Sequence, residues 1–260
     1  MNVCLLASGS KGNALLVASG RTCLLIDAGL SARELCRRLD SVGISPQELT
    51  GVAITHEHVD HVRGLGLLSR RYSLPVYLHH AVAGSLADSE RPARVVEFDS
   101  GHDLQFQDFL LRAFPVTHDA VATVGFTVTG LCGKLGVATD LGVATRLVAE
   151  ELRHCRALVL ESNHDEELLR EGPYPWPIKQ RIKSSHGHLS NRDSAALLEN
   201  LCWTGLETVC LAHLSDTNNH PELAVSAARA VLDRQDGCHP GLLLGRQDRP
   251  VAWTIGQSDP

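Results

Sequence analysis

Residues Thr55 to His61 read Thr-His-Glu-His-Val-Asp-His, three histidines and an aspartate in the pattern His-x-His-x-Asp-His. Imidazole nitrogens and carboxylate oxygens at that density suit divalent cations, and the spacing suits two of them. Val52, Ala53 and Ile54 form a short apolar run after Gly51, which predicts a buried strand ending where the polar cluster begins. His56 and His58 then fall on a loop, where ligands two residues apart can converge on one ion; on a helix they would splay. Asp60 and His61 open a predicted helix running to Tyr72, with Asp60 suited to its N-terminal end. The change of direction aims this pair at a second ion beside the first. Zinc is the favoured metal, and the carboxylates leave manganese open. Glu57 is assigned no metal role. The His-Glu-x-x-His helix of metalloproteases is not written here, because His61 lies five positions after His56.

Two ions need more ligands than this motif supplies, and three other apolar runs end on suitable residues. The run 109–116 stops at Thr117-His118-Asp119, the run 135–139 delivers Asp140, and the run 209–212 delivers His213. Each alone would read as an ordinary hydrogen-bonded loop residue. Beside the first motif they complete a set of His56, His58, Asp60, His61, His118, Asp140 and His213. The two oxygens of Asp140 can bridge both ions.

The elements that must position these residues alternate between strand and helix patterns. Strands are predicted at 3–6, 14–17, 23–26, 52–54, 76–78, 95–98, 109–116, 124–129, 135–138 and 209–212, with a closing strand over 250–255 before the chain frays. Further helices are predicted at 32–39 after an N-cap at Ser31, and at 143–152, 193–201 and 221–232. The 260 residues, 43% hydrophobic and 21% charged, suffice for one α/β domain with a sizeable core spanning 1–260. Eight cysteines without a Cys-x-x-Cys pair read as reduced thiols of a cytoplasmic protein. Met1-Asn2-Val3-Cys4 does not read as a signal peptide, and no apolar run approaches a membrane span, so no membrane partner is expected.

The motifs Ala7-Ser8-Gly9-Ser10-Lys11-Gly12-Asn13, Leu25-Ile26-Asp27-Ala28-Gly29, Ala138-Thr139-Asp140-Leu141-Gly142, Glu161-Ser162-Asn163-His164-Asp165 and Gly187-His188-Leu189-Ser190-Asn191 join the seven candidate ligands in a resemblance. The chain resembles the metallo-β-lactamase fold superfamily and, within it, the YycJ-type group of phosphodiesterases and exonucleases, over about residues 1–230. The resemblance implies an αββα sandwich with two metals at one edge and water held between them. Its second half is similar to tRNase Z, and by that analogy His188 is not a ligand but reaches the scissile phosphate, as a binding group or a general acid. The turn from Ser8 to Asn13 lacks the P-loop pattern. The family comparison puts it near the metals, where Ser8, Ser10 and Asn13 are expected to orient substrate unless the turn is merely a structural hairpin. His164 is either a contact of metal or substrate or a satisfied loop histidine.

The expected activity is metal-dependent hydrolysis of phosphodiesters, foremost exonucleolytic cleavage of DNA, with Asp60 or Asp140 accepting the proton. Hydrolysis of a small thioester, lactone or lactam on the same fold is the alternative, since a fold alone does not choose a substrate. From another class, a metal-stabilised regulator would need only one closed ion, which the full ligand set exceeds. The net charge of −6 speaks against nonspecific coating of nucleic acid. Local charge differs: Lys179, Arg181 and Lys183 follow Trp176 just upstream of His188, and Arg91 and Arg94 add two more cations. The first cluster suits a basic rim around the site or a solvated helix face, with Tyr174 and Trp176 as candidates for base stacking. The sequence carries no signature of oligomeric state.

Overall fold

Strict alternation of side chains along the strands sets the architecture, because successive residues serve opposite faces of a sheet. The structure, a computed structural model, describes residues 1–256. Its strands are β1 (Asn2–Ala7), β2 (Ala14–Ser19), β3 (Thr22–Ile26), β4 (Gly51–Ala53), β5 (Pro75–His79), β6 (Arg94–Phe98) and β7 (Asp103–Gln105), then β8 (Phe109–Pro115), β9 (Val124–Gly130), β10 (Gly133–Ala138), β11 (Ala157–Glu161), β12 (Thr208–Ala212), β13 (Gly241–Leu244) and β14 (Val251–Thr254). They form two seven-stranded sheets, ordered β14-β1-β2-β3-β4-β5-β6 and β13-β12-β11-β10-β9-β8-β7. The helices are α1 (Ala32–Ser41), α2 (Val59–Val62), α3 (Leu65–Tyr72), α4 (His80–Ala83), α5 (Arg146–Leu152), α6 (Glu166–Glu171), α7 (Trp176–Lys183), α8 (Asn191–Leu201) and α9 (Pro221–Leu232).

Val3, Leu5, Leu24 and Ile26 of the first sheet meet Leu111, Phe126, Val159 and Cys210 of the second in a central core. Their neighbours Cys4, Leu6 and Leu25 turn outward onto Leu35, Leu39, Leu65 and Leu68 of α1 and α3. On the other side Leu158, Leu160, Val209 and Leu211 pack on Leu152, Leu197, Leu198 and Ala228 of α5, α8 and α9. The layers therefore run αββα in a single α/β domain, as the sequence led us to expect. The Ser31 hydroxyl accepts from Glu34 N and caps α1, and Ser190 accepts from Asp193 N and caps α8.

The predicted helix from Asp60 to Tyr72 is broken at Arg63 and Gly64 into α2 and α3. Gly64 lies hard against the chain beneath it: its N–H donates to Ala28 O at 2.8 Å, and a Cβ there would stand 2.3 Å from Leu30 O. His58 takes the N-cap position, with Asp60 inside the first turn. Strands β7, β11 and β13 were not predicted, and the helix expected over 143–152 begins only at Arg146 behind its Thr145 cap. The fraying expected at the end of the chain falls on 257–260, outside the described residues. Among the described residues no helix is long and apolar enough to cross a membrane, and all eight cysteines are free.

Strands β3 to β6 run parallel to one another, as do β10 to β13. The candidate ligands follow the C-terminal ends of β4, β8, β10 and β12, the edge at which open α/β sheets hold their ligands.

Candidate metal centre

The loop leaving β4 is clamped by the one leaving β3. Asp27 accepts from Thr55 N at 2.8 Å and from its hydroxyl at 2.9 and 3.0 Å, while Ala28 N donates to His61 O at 2.7 Å. Asn13 N donates to Asp60 O at 2.8 Å, and a Cβ on Gly29 would stand 1.6 Å from that same carbonyl. Only glycine lets the two loops approach this closely. Asp27, Asp140 and His213 adopt left-handed backbone, at φ 63°, 56° and 54°. Such conformations are strained for residues with a side chain and cluster where surrounding structure holds a site in place.

These loops bring all seven candidate residues together. Potential ligand atoms of His56, His58 and His118 lie within 4.8 Å of one another, as do those of Asp60, His61 and His213. Asp140 stands between the two groups, with Oδ2 3.4 Å from His61 Nε2 and Oδ1 3.9 Å from His118 Nε2. Four of the imidazoles have Nδ1 committed to the protein. His61 Nδ1 meets Asp27 Oδ2 at 2.8 Å, His213 Nδ1 meets Glu161 Oε1 at 2.8 Å, His118 Nδ1 meets Gly187 O at 3.0 Å, and His56 Nδ1 meets the Thr55 hydroxyl at 3.0 Å. Partners of this kind fix the tautomer so that Nε2 offers its lone pair to the centre. Nε2 of His56, Nε2 of His213 and Oδ2 of Asp140 are buried without a hydrogen-bond partner, as the donor set of a cation site requires.

The two groups differ in charge. Burial, together with His61, His118 and His58, holds His56 well below the ordinary histidine range; His118 is lowered chiefly by burial. Both are neutral near pH 7. Burial also opposes charge on His213, yet Asp140, Asp60 and Glu161 outweigh it and raise the imidazole to about 10. His61 is likewise raised well above the ordinary value by Asp140, Asp27 and Asp60 against complete burial. Without metal, the second group therefore stores protons that the first does not.

Glu161, to which the sequence analysis assigned no role, ends β11 beside this centre. Its two oxygens accept from His188 Nδ1 and His213 Nδ1, both at 2.8 Å, and from the N–H groups of Asp140, Leu141 and Leu189 at 3.2, 3.2 and 2.9 Å. Burial alone would raise its pKa, but His188 and His213 hold it well below the usual carboxylate range. Five donors saturate a carboxylate, so although it lies close enough to share an ion with Asp140, His188 and His213, its lone pairs are spent on orienting them. The signal was present, since Ala157–Glu161 is an apolar run ending on a polar cluster like the others. Burial likewise disfavours the charged form of His188, and Glu161 more than offsets it, raising the pKa.

A cavity of about 250 Å³ opens over the centre, lined by His58, Asp60, His118, Asp140, His188 and His213 with Ser10, Ile178 and Arg181 among others. Of the three residues expected to orient substrate, only Ser10 lines it. Ser8 is buried, and its hydroxyl accepts from His213 N at 2.7 Å. Asn13 is buried too: its Oδ1 accepts from Gly9 N at 2.9 Å and its Nδ2 reaches Asp60 Oδ2 at 3.4 Å, so it props the ligand loop. Glu57 turns away and accepts from Val121 N at 2.7 Å. His164 is buried behind the lining, Tyr174 donates to the Thr217 hydroxyl at 3.3 Å, and Arg91 pairs with Asp88 away from the cavity.

A four-layered sandwich with this His/Asp cluster at its edge defines a metallo-hydrolase architecture. The chain belongs to the β-lactamase superfamily: the family model described as "Beta-lactamase superfamily domain" matches residues 22–214. It is 36% identical to the protein named exodeoxyribonuclease YycJ from Bacillus anthracis, over 88% of each chain. Among solved structures it is similar in fold to the metallo-β-lactamase fold protein YhfI from Bacillus subtilis, with a TM-score of 0.74 and 17% identity over 97% of this chain and 99% of the other. Human tRNase Z, short form, gives a TM-score of 0.65 at 16% identity over 98% and 99%.

Proposed function

We propose that this protein is a cytoplasmic exodeoxyribonuclease that hydrolyses phosphodiesters with two divalent ions, zinc by preference and manganese as the alternative. His56, His58 and His118 would hold one ion, Asp60, His61 and His213 the other, and Asp140 would be shared. Such ions lower the pKa of water and stabilise charge on phosphoryl oxygens. The observation that carries the reading is the commitment of four Nδ1 atoms to protein acceptors, which turns four Nε2 atoms to one centre. The likeness to a relative named as an exodeoxyribonuclease supports the choice of DNA.

The chain's own groups divide the remaining work. Asp60 and Asp140, lining the cavity, are placed to take a proton from the attacking water. His188 has Nδ1 held by Glu161, which leaves Nε2 free to protonate the departing oxygen. The raised pKa of His188 keeps that proton available near neutrality. The test is incubation of metal-loaded protein with end-labelled single- and double-stranded DNA, RNA, a thioester and a β-lactam. Release of nucleotides from DNA ends is expected; turnover of the thioester or lactam with intact DNA would overturn the reading.

A further inference from the structure

Helix α7 has two faces with different surroundings. Ile178, Arg181 and Ile182 line the cavity over the metal centre. Trp176, Lys179, Gln180 and Lys183, spaced as one helical stripe, line a separate hollow of about 410 Å³ with Glu166, Leu169, Arg170 and Arg192. Trp176 is 66% exposed, which is unusual for the most costly side chain to leave in water and leaves its ring face open for stacking. The hollow carries four cations against one carboxylate, on a chain whose net charge is −6. Arg192 is paired with Glu166, and Arg170 with Glu167 and Glu171. Lys179 and Lys183 have no carboxylate partner among the described residues; Lys179 Nζ donates to Arg170 O at 2.7 Å. Lys183 also lines a second groove, with Gly142 and Ser185.

We propose that the Trp176–Lys183 stripe is a binding site for single-stranded DNA, which holds the part of the strand still to be degraded while its end occupies the metal cavity. The inference rests on the nuclease reading above. An open aromatic face beside unpaired lysines is the chemistry that binds unpaired bases and their phosphates without regard to sequence. The stripe runs about 10 Å along the helix, whose opposite face is already part of the site, so a bound strand and a cleaved end share one rigid element.

The experiment compares metal-loaded wild type with Trp176→Ala, Lys183→Glu and the control Trp176→Phe, on three probes: a phosphorothioate single-stranded oligonucleotide for binding, the ordinary oligonucleotide for turnover, and bis(4-nitrophenyl) phosphate. Loss of one stacked base should weaken oligonucleotide binding by about 5- to 100-fold, seen as a raised KM with kcat kept, and Trp176→Phe should restore most of it. Removing one lysine contact should lower the slope of log affinity against log salt by about 0.7. Hydrolysis of the small ester should stay at the wild-type rate in every variant. Unchanged oligonucleotide binding in Trp176→Ala and Lys183→Glu would overturn the assignment, as would a matching loss on the small ester. A wild type that hydrolyses the small ester but no nucleic acid would instead sink the nuclease reading, and this site with it.

Discussion

Nδ1 of His188 lies 2.8 Å from Oε1 of Glu161, on the same oxygen that receives Nδ1 of His213. One buried carboxylate thus aligns a proposed proton donor and a proposed ligand. Replacing His188 by Ala should lower kcat on DNA by about 10²- to 10⁴-fold with metal content unchanged, and should hurt a nitrophenyl ester much less, because a good leaving group needs little protonation. Loss of an ion in this variant, measured by elemental analysis, would make His188 a ligand. Glu161→Gln should in addition weaken metal binding, by about 10- to 100-fold for a lost orienting partner.

Asp140→Asn and His61→Ala should abolish phosphodiesterase activity while circular dichroism shows the fold retained. Asparagine tolerates the left-handed backbone at φ 56°, so the first change removes charge with little new strain. Turnover in either purified variant would show that the ions sit elsewhere.

Metal uptake should depend on pH in a way that separates the two positions. His56 and His118 are lowered and already neutral at pH 7, so the ion they serve displaces no proton from them. His61 and His213 are raised, the latter to about 10, and must lose protons before they can ligate. Affinity for the second ion should therefore climb as pH rises from neutrality towards about 10 and fall as pH drops. Titration calorimetry in buffers of different ionisation enthalpy should detect proton release with one ion and little with the other; equal release would contradict the assignment.

Gly29→Ala should damage the second metal position from outside it. The added methyl meets Asp60 O at 1.6 Å, so the loop carrying Asp60 and His61 must retreat. A stability loss of about 1–3 kcal/mol is expected from such overpacking, with one ion retained and the other lost. A variant that keeps two ions and an unchanged melting temperature would refute this account of the clamp.

The seven candidate ligands were legible because each follows an apolar run, and the point where such a run meets polar residues is local information. Glu161 and Asp27 obey the same local rule and still escaped a role, since what defines them is their partners: Asp27 works on Thr55 and His61, and Glu161 on residues from Asp140 to His213. Ser8 and Asn13 were placed at the right edge but facing the wrong way, as only the packed loops decide which side chain meets the cavity. The break at Gly64 was invisible because helical periodicity continues across it. It coincides with the close approach of Gly64 to Ala28 and Leu30, which the chain brings there from an earlier loop.

The centre draws His56 to His61 from the first sheet and His118, Asp140 and His213 from the second. Ions shared by both would act as a clasp across the open edge of the sandwich, turning coordination energy into adhesion between sheets that otherwise meet through an apolar layer. A chelator should accordingly loosen the molecule along one seam and leave each sheet with its own helices intact. The clasp also has an order of assembly. The His-x-His-x-Asp-His loop is synthesised early and waits, and a chain cut short of His213 would carry the residues proposed for one ion but lack the last of those proposed for the other.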